Sequence, residues 1–318
     1  MIEQTQDDAS LQSLVEDFFR HRFSTDNPLI TEAVRRMLDA GGKRIRPRVT
    51  LLAAEACGGD PVDHLALAAY MELIHVATLI HDDVVDRAET RRGINATAID
   101  YGNRVSVLAG DYLFAWIFKN VTANYPAPVP HILSSTLAEI CDGEVLQLRS
   151  LGNLELSLED YVEIVGKKTA SLFAASAECG ALQGGASPLR AAALREFGLL
   201  YGIAFQMNDD LIDVTADERS VGKPVGNDLR ERKMTIPLIC ALQGGDGEFR
   251  RRVERFYAVG DPSEIPGLLD AIRARGGVSR TKEQIEHHVE RAKRALAPFG
   301  SAPARAALSH LADALLER

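Results

Sequence analysis

The sequence predicts an all-α fold, and three observations lead to that prediction. Alanine and leucine dominate the composition, and only 6% of the residues are aromatic. Residues branched at Cβ rarely alternate with polar ones, as they would along a half-buried strand, so no strand is predicted. Apolar residues instead recur at helical spacing over nearly the whole chain. The 318 residues contain no long linker, so we expect a single helical domain over 1–318.

Turn residues set the ends of the predicted helices in the first half of the chain. Gly41-Gly42 follows one amphipathic stretch, and Gly58-Gly59-Asp60-Pro61 separates the next two. The prolines between Pro126 and Pro130 divide a later pair of helices. The predicted helices are 8–22, 28–40, 46–57, 61–88, 103–123 and 129–149.

In the second half, Gly184-Gly185 before Pro188 and Gly276-Gly277 mark helix ends in the same way. Residues 61–88 and 188–215 are apolar so continuously that we expect both inside the fold. The longest irregular stretch, Arg219 to Lys233, has the composition of a lid or binding loop, but also of a plain surface connection. The predicted helices are 157–166, 168–185, 188–215, 234–243, 262–275, 278–297 and 302–317.

Charge and hydropathy exclude several classes of protein. The chain has 36 basic and 45 acidic residues, a net charge of −9, so its surface as a whole repels nucleic acid and anionic lipid. The first residues are acidic and polar, without the pattern of a signal peptide. Charged or polar residues interrupt the apolar runs before the roughly 18 residues of a membrane span. We therefore expect a cytoplasmic protein with no nucleic-acid partner and no membrane span.

The four cysteines are predicted to be reduced and buried. They are Cys57, Cys141, Cys179 and Cys240, which are dozens of residues apart and form no CxxC pair. Disulfides or a zinc site are the less favoured alternative.

An aspartate pattern occurs twice, each time at the end of an apolar helix. Asp82 and Asp86 lie one helical turn apart in LIHDDVVD, as do Asp209 and Asp213 in FQMNDDLID. One such cluster is usually a solvated helix end, but two copies beside apolar segments require compensating positive charge. Carboxylates without histidine or cysteine on the same face suit Mg²⁺, which proteins often hold jointly with substrate phosphates.

Basic residues that could bind such phosphates occur in four places. Each cluster alone is typical of a solvated surface, whereas together they fit two polyphosphate sites. The signatures GxGxxG, GxxxxGK[ST], HExxH and GxSxG do not occur in the sequence, which disfavours the enzyme classes that use them. The four clusters are Lys43-Arg44-Ile45-Arg46 after two glycines, Arg91-Arg92, Lys167-Lys168-Thr169, and the pair Lys223 and Lys233.

Six segments together resemble the trans-prenyl diphosphate synthase family in their order and approximate spacing. They cover about residues 40–240 and read GGKRIRP, LIHDDVVDRAETRRG, GEVLQL, KKTASLF, FQMNDDLIDV and GKPVGNDLRERKMTIPL. The resemblance implies antiparallel helices around a central cavity, a homodimer, and Mg²⁺-dependent transfer of an allylic group to isopentenyl diphosphate. The allylic partner would be farnesyl or geranylgeranyl diphosphate, and the product would pass to membrane enzymes.

The resemblance also implies roles for individual residues. Mg²⁺ would be held by Asp82, Asp86 and Asp209. The other catalytic residues would be Lys168 and the supporting aspartates Asp83, Asp210 and Asp213. The isopentenyl diphosphate pocket would contain Lys43, Arg46, His75 and Arg92. The groups around the allylic diphosphate would be Arg91, Lys168, Thr169, Gln206, Lys223 and Lys233.

Three details qualify this assignment. Arg232 precedes Lys233 at a position where many relatives have glycine, so the loop that would contact the diphosphate departs there from the family pattern. Lys167 stands beside Lys168, so either lysine could reach phosphate. His75 has no second histidine four residues away, which disfavours a metal-ligand role for it.

Product length is expected to depend on the helix before Asp82. Thr78 lies one turn and Ile74 two turns before Asp82, and Ala77 borders the same face. In the family, a large aromatic residue just before the first aspartate motif closes the cavity for short products. Because Ala77 and Thr78 are small, we expect an open tunnel and a hexaprenyl to decaprenyl product. The central expectation is octaprenyl diphosphate, a quinone side-chain precursor. The alternative explanation for the small residues Ala77 and Thr78 is that they allow close packing between helices.

Three other functions stay open. A shorter-chain farnesyl or geranylgeranyl diphosphate synthase would share these motifs. A class I terpene cyclase shares the fold, but its second metal motif is typically an Asn/Ser/Glu pattern, whereas this chain has DDLID. A non-catalytic partner subunit tends to lose an aspartate motif or the basic clusters, and this chain keeps both.

The two aspartate motifs generate the first testable prediction. Asp82→Ala and Asp209→Ala should each lower turnover about a thousandfold or more, because each removes a direct ligand of the metal that stabilises the leaving diphosphate. Turnover is measured with both substrates and Mg²⁺, and circular dichroism verifies folding. Near-normal turnover of either folded variant would contradict a mechanism that needs both motifs.

Overall fold

The computed structural model describes residues 2–216, 225–245 and 247–317, with side chains from residue 11 onward in those ranges. It confirms the all-α class. In the first half the helices are α1 (Ile2–Arg22), α2 (Pro28–Asp39), α3 (Ile45–Ala56), α4 (Leu65–Val85), α5 (Thr97–Asn124) and α6 (Val129–Ser150).

The second half is equally helical. A π-helical turn, Gly166–Ala170, joins α7 to α8, so the break predicted after residue 166 is wrong: the helical backbone continues with a wider turn. The helices are α7 (Leu158–Val165), α8 (Ser171–Gln183), α9 (Pro188–Thr215), α10 (Asn227–Arg230), α11 (Ile236–Leu242), α12 (Gly247–Val259), α13 (Ile265–Ala274), α14 (Gly277–Ala295) and α15 (Pro303–Asp313).

Three elements were not predicted from the sequence. One is the short helix α10, which lies inside the stretch Arg219 to Lys233 that was expected to be irregular. The helix α12 buries Phe249, Val253, Phe256 and Tyr257, which repeat at helical spacing, but its four arginines and the glycines before it mask that signal. A pair of antiparallel two-residue strands, β1 (Thr90–Arg91) and β2 (Ile94–Asn95), follows α4. Strands this short carry no sequence periodicity, so only the structure reveals them.

The chain divides into two compact units. Unit 1 holds Met1–Ser134, Ala175–Leu194 and Ala302–Arg305, and unit 2 holds the remaining ranges, Ser135–Ala174, Arg195–Ser301 and Ala306–Arg318. The single domain over 1–318 stays a prediction.

The helix α4 forms the centre of unit 1. It packs against α1, α2, α3 and α5, and Leu67, Met71, Leu73 and Ile80 are completely buried. This burial agrees with the continuous apolar pattern of its sequence. In unit 2 the main helix pairs include α11 with α14 and α13 with α14.

The segment Pro61–Val85 is long and apolar enough to cross a membrane, judged by length and composition alone. Glu72 interrupts the apolar run of this segment, as the sequence predicts, but the segment as a whole is still apolar enough to qualify by composition. In the structure 61% of its most apolar window is buried, as in the core helix of a soluble protein. It is the only such candidate within the described residues.

The four cysteines are all free, as predicted, but they are not all buried. Cys179 and Cys240 are buried, Cys57 is half-buried, and Cys141 lies on the exposed side of α6. The expectation of four buried thiols is therefore wrong for Cys57, which follows the C-terminal end of α3, and for Cys141, which lies in a helix of mixed polarity and faces outward.

Glycines allow helices to approach closely within each unit. A Cβ at Gly180 of α8 would overlap the carbonyl oxygen of Thr50 in α3, both in unit 1. In unit 2 a Cβ at Gly198 of α9 would overlap the carbonyl oxygen of Phe173 in α8. Backbone atoms cannot rotate out of the way, so these positions admit only glycine without a shift of the helix.

We expect Gly180→Ala to lower the free energy of unfolding by about 2 kcal/mol, because the added methyl group forces α8 away from α3. The matched control is Gly166→Ala, since Gly166 has helical φ and ψ of −54° and −49° and no atom within 4 Å of the added methyl group. The control should be neutral or slightly stabilising. Urea denaturation measures both, and equal stability of Gly180→Ala and wild type would contradict the close approach.

Candidate active site

The first aspartate motif forms the C-terminal turn of α4 in unit 1. The backbone N–H of Asp86 donates to the carbonyl oxygen of Asp82 at 2.8 Å, which closes the last turn of the helix. Asp82 and Asp86 are half-buried. Their one-turn spacing keeps both carboxylates on one side of the helix end, as predicted.

The middle aspartate of this motif, Asp83, points into the protein instead. Its side chain is 0% exposed, and its Oδ1 accepts hydrogen bonds from Nε and Nη2 of Arg91 at 2.7 and 2.6 Å. Burial raises the pKa of Asp83, and the guanidinium of Arg91 opposes that shift. Arg91 was predicted to contact the allylic diphosphate, and in the structure it compensates this buried carboxylate.

The pair of strands after α4 also positions Arg92. Arg92 has a φ of 52° in the turn between β1 and β2. Its Nη1 donates to the carbonyl oxygen of Gly41, in the turn that carries Lys43. A Cβ at Gly42 would lie 3.1 Å from the guanidinium of Arg92, so the glycine leaves space for the arginine.

The basic turn before α3 lies next to a histidine of α4. Gly41 has a φ of 78° and Arg44 a φ of 48°, and Ile45 begins the helix. Arg46 is buried and Lys43 is exposed. Burial lowers the pKa of His75 well below its ordinary range, and the positive charges of Arg46 and Arg92 lower it further. The structure thus brings together the predicted residues Arg46, His75 and Arg92 in unit 1.

The second aspartate motif, at the end of α9 in unit 2, is held by a chain of hydrogen bonds. Oγ1 of Thr169 lies 3.1 Å from Oε1 of Gln206, and Nε2 of Gln206 donates to Oδ1 of Asp210 at 2.9 Å. The hydroxyl of Tyr161 donates to Oδ2 of Asp210 at 2.6 Å. Asp209, in contrast, lies on the exposed side of the helix.

The last aspartate of this motif caps the segment that follows. Asp213 accepts hydrogen bonds from the backbone N–H groups of Asn227 and Asp228, both at 3.1 Å. Burial raises the pKa of Asp213 and raises that of Asp228 well above its ordinary range. It also raises the pKa of Asp210 to about 6. The cluster therefore concentrates negative charge at a cost that a bound cation would reduce.

The π-helical turn presents one of its two lysines to the site. Lys168 Nζ donates to Oε1 of Gln147 at 2.6 Å and pairs with Glu144, both on α6. Lys167 forms an ion pair with Glu163 at 3.0 Å. A Cβ at Gly143 would overlap the backbone nitrogen of Lys168, so this glycine allows α6 to approach the turn.

These unit 2 groups line a cavity of about 100 Å³. Five of the residues predicted around the diphosphate or metal lie on its wall: Lys168, Thr169, Gln206, Asp210 and Lys233. Lys167 is not among the lining residues. The remaining lining residues are Gln147, Ser150, Tyr161, Ile164, Val165, Asp228, Met234 and Thr235.

Five polar residues of this cavity were missed by the sequence analysis: Gln147, Ser150, Tyr161, Asp228 and Thr235. Gln147 and Asp228 belong to segments that carry the family resemblance, so alignment of those segments was the available signal. Tyr161 lies 49 residues from Asp210 in the sequence, and no motif connects them. Lys223, predicted to contact the diphosphate, lies outside the described residues.

The backbone at Arg232 explains one departure from the family pattern. Arg232 has a φ of 56°, in the left-handed region that favours glycine, which is the residue expected there from the resemblance. Its carbonyl oxygen accepts a hydrogen bond from Gly152 at 2.8 Å. Arg232 has therefore adopted a backbone conformation that glycine usually occupies. Lys233, the next residue, still lines the cavity.

The donor set of the aspartate motifs fits a hard divalent cation. Within the described ranges, no three His, Cys, Asp or Glu side chains converge as a ready-made cage. The ligands expected from the resemblance are Asp82 and Asp86 of unit 1 and Asp209 of unit 2, and each side chain offers only oxygen donors. One or two carboxylates completed by phosphate and water is the usual coordination of Mg²⁺.

Comparison with known proteins covers most of the chain. Residues 27–272 match the family model described as polyprenyl synthetase. The chain is 38% identical over 293 residues to the short chain isoprenyl diphosphate synthase of Methanothermobacter thermautotrophicus, covering 91% of this chain and 90% of that protein. It is 36% identical over 298 residues to the octaprenyl diphosphate synthase of Escherichia coli, covering 93% and 92% of the two chains.

The fold is also similar to solved structures. One is the polyprenyl synthase of Caulobacter crescentus CB15, described as complexed with calcium and isoprenyl diphosphate. The TM-score is 0.91 at 36% sequence identity, and the alignment covers 99% of this chain and 95% of that one.

The raised pKa of Asp210 predicts how the stability of the metal-free protein depends on pH. The pKa is about 6 in the folded state against an ordinary value of 3.8, so the folded state binds the proton more tightly than the unfolded state. In EDTA, lowering the pH from 8 to about 5 should therefore add about 1.4 kcal/mol of stability from this group, which corresponds to one pH unit below the folded pKa. The measurement is urea denaturation of wild type and Asp210→Asn between pH 8 and about pH 5. The stability difference between them should shrink as the pH falls; a constant difference would contradict the raised pKa.

Proposed function

Because this chain belongs to the polyprenyl synthetase family and is a prenyltransferase, we propose that it condenses isopentenyl diphosphate head-to-tail onto an allylic diphosphate. Repetition of this step would produce a long all-trans polyprenyl diphosphate. The observation that carries the proposal is that each compact unit sets an aspartate motif beside basic groups: Asp83 pairs with Arg91 in unit 1, and Asp210 lines the same cavity as Lys168 and Lys233 in unit 2.

In the proposed mechanism, basic residues hold the two diphosphates. Lys168 and Lys233 bind the allylic diphosphate, and Lys43, Arg46 and Arg92 bind isopentenyl diphosphate. His75 is neutral near pH 7, because its pKa is lowered, and donates or accepts a hydrogen bond rather than adding charge. Asp82, Asp86 and Asp209 would hold Mg²⁺, which supplies positive charge that stabilises the departing diphosphate.

The chemistry then proceeds by ionisation and alkylation. The allylic C–O bond breaks, its electron pair leaves with the diphosphate, and the allylic carbon becomes cationic. The double bond of isopentenyl diphosphate attacks that carbon, and a proton is lost to the released diphosphate, which restores a neutral chain. Apolar residues of α4 such as Ile74 and Ile80, both buried, would exclude water from the cation.

The length of the product is proposed from the residues before Asp82. Ala77 and Ile74 are 0% and 1% exposed. Thr78 is half-buried, and its hydroxyl donates to the carbonyl oxygen of His75 at 2.8 Å. No large aromatic side chain occupies these positions, which supports a long product, with octaprenyl diphosphate as the central proposal. The relatives are named for both short and long products, so they do not decide the length.

Several further properties are part of the same proposal. The enzyme would act as a cytoplasmic homodimer, accept farnesyl or geranylgeranyl diphosphate as primer, and pass its product to membrane enzymes that build quinones. A geranylgeranyl or farnesyl diphosphate synthase is the competing function, favoured by the short-chain relative.

Sizing the products tests the proposal and the basis of its chain length. Purified protein, Mg²⁺, labelled isopentenyl diphosphate and farnesyl diphosphate should give products in the hexaprenyl to decaprenyl range. Thr78→Tyr and Ala77→Tyr should shorten them to about farnesyl or geranylgeranyl length and leave the first condensation active. Thr78→Tyr should disturb the packing less than Ala77→Tyr, because Thr78 is only half-buried. The control is the near-isosteric Thr78→Val, which should leave the products unchanged. Wild-type products of about twenty carbons or fewer would favour the short-chain synthase.

A further inference from the structure

Arg44 stands inside the basic turn but faces the protein interior. It is 3% exposed. Its Nε donates to Oε1 of Glu16 at 2.5 Å, its Nη1 to Oε1 of Glu72 at 3.0 Å, and its Nη2 to the carbonyl oxygen of Leu38 at 2.8 Å. The guanidinium also lies over the ring of Phe19, 5.2 Å from its centroid. The three nitrogens are thus all engaged by the protein, so Arg44 is not a phosphate ligand.

The backbone at Arg44 requires such restraint. Its φ and ψ are 48° and 40°, a left-handed conformation that a residue with a side chain adopts only when its surroundings hold it there. Two flexible glycines precede this turn, with φ of 78° at Gly41 and 153° at Gly42. The side-chain contacts of Arg44 therefore restrain the backbone between Lys43 and Arg46.

Glu72 is the inner partner in this arrangement. It is 2% exposed and lies on α4, one turn before His75. Its Oε2 has no hydrogen-bond partner within the described part of the chain. Burial lowers the pKa of Arg92, and the negative charge of Glu72 opposes that shift; Arg92 itself donates to the carbonyl oxygen of Gly41. One buried carboxylate thus acts on both arginines that fix the turn.

A buried ion pair is an expensive way to stabilise a fold, because desolvation offsets much of the attraction between the charges. Its advantage is directional: the planar guanidinium with three fixed acceptors allows only one orientation. We propose that Glu72 and Arg44 are positioning residues of the isopentenyl diphosphate site, where their ion pair orients Lys43 and Arg46. This inference rests on the proposed function.

The test is the kinetics of Glu72→Gln and Arg44→Lys. Each should raise the KM for isopentenyl diphosphate about tenfold, while kcat and the KM for the allylic diphosphate change less than twofold. Glu16→Gln, which removes the outer and half-exposed partner, should act in the same direction with a smaller effect. Asp100→Asn is the matched control, because it breaks the surface ion pair with Arg36 in the same unit, and it should leave all three constants unchanged.

A double-mutant cycle separates positioning from general destabilisation. If Glu72 acts through Lys43, then Glu72→Gln should raise the KM for isopentenyl diphosphate much less in a Lys43→Ala background than in wild type. Equal effects on both substrates, or full additivity with Lys43→Ala, would overturn the inference. If Glu72→Gln does not fold, the same cycle with Glu16→Gln decides the question by the same criteria.

The outcomes also distinguish this inference from the proposed function. A wild-type protein that does not condense isopentenyl diphosphate would overturn the function. Suppose instead that the wild type is active and that Lys43→Ala raises the KM for isopentenyl diphosphate. If Glu72→Gln and Glu16→Gln then leave that KM unchanged, only the positioning role is overturned.

Discussion

The burial of a carboxylate at the end of an apolar helix is the constraint on which both aspartate motifs depend. In each motif the second aspartate points inward, Asp83 in unit 1 and Asp210 in unit 2. A buried carboxylate is costly unless other groups compensate it, so each is tied to a residue outside its own helix. Those contacts fix the rotation of the helix end about its axis. The first and last aspartates of the motif, one turn apart, then lie together on a different side of the helix from the buried aspartate.

The two motifs meet this constraint with different chemistry. Asp83 is bound by the cationic fork of Arg91, whereas Asp210 is bound by the neutral hydroxyl of Tyr161 and the amide of Gln206. A neutral donor compensates negative charge less than a guanidinium does, and burial beside Asp210 and Asp213 also raises the pKa of Asp228 well above its ordinary range. Accordingly, burial raises the pKa of Asp210 to about 6, whereas at Asp83 the guanidinium of Arg91 opposes the shift that burial causes.

Glycines leave the space in which the basic side chains are positioned. Gly42 leaves space for the guanidinium of Arg92, and Gly143 allows α6 to meet the backbone of Lys168. The π-helical turn at Gly166–Ala170 widens the helix where Lys168 and Thr169 must face the cavity. Close approach and local irregularity are thus concentrated where charge has to be positioned, while the rest of the fold consists of regular helices.

The sequence by itself determined the helical class, the two aspartate motifs and most of the basic residues, because these depend on local spacing and on motifs that can be read along the chain. It also identified Arg232 as unusual, but not that the backbone there is left-handed. Only the tertiary structure decided that Lys168 rather than Lys167 lines the cavity, that Tyr161 supports Asp210, and that Arg44 faces inward. Each of these depends on a contact between residues distant in sequence or on the rotation of a helix by a fraction of a turn, and neither leaves a periodic signal in the sequence.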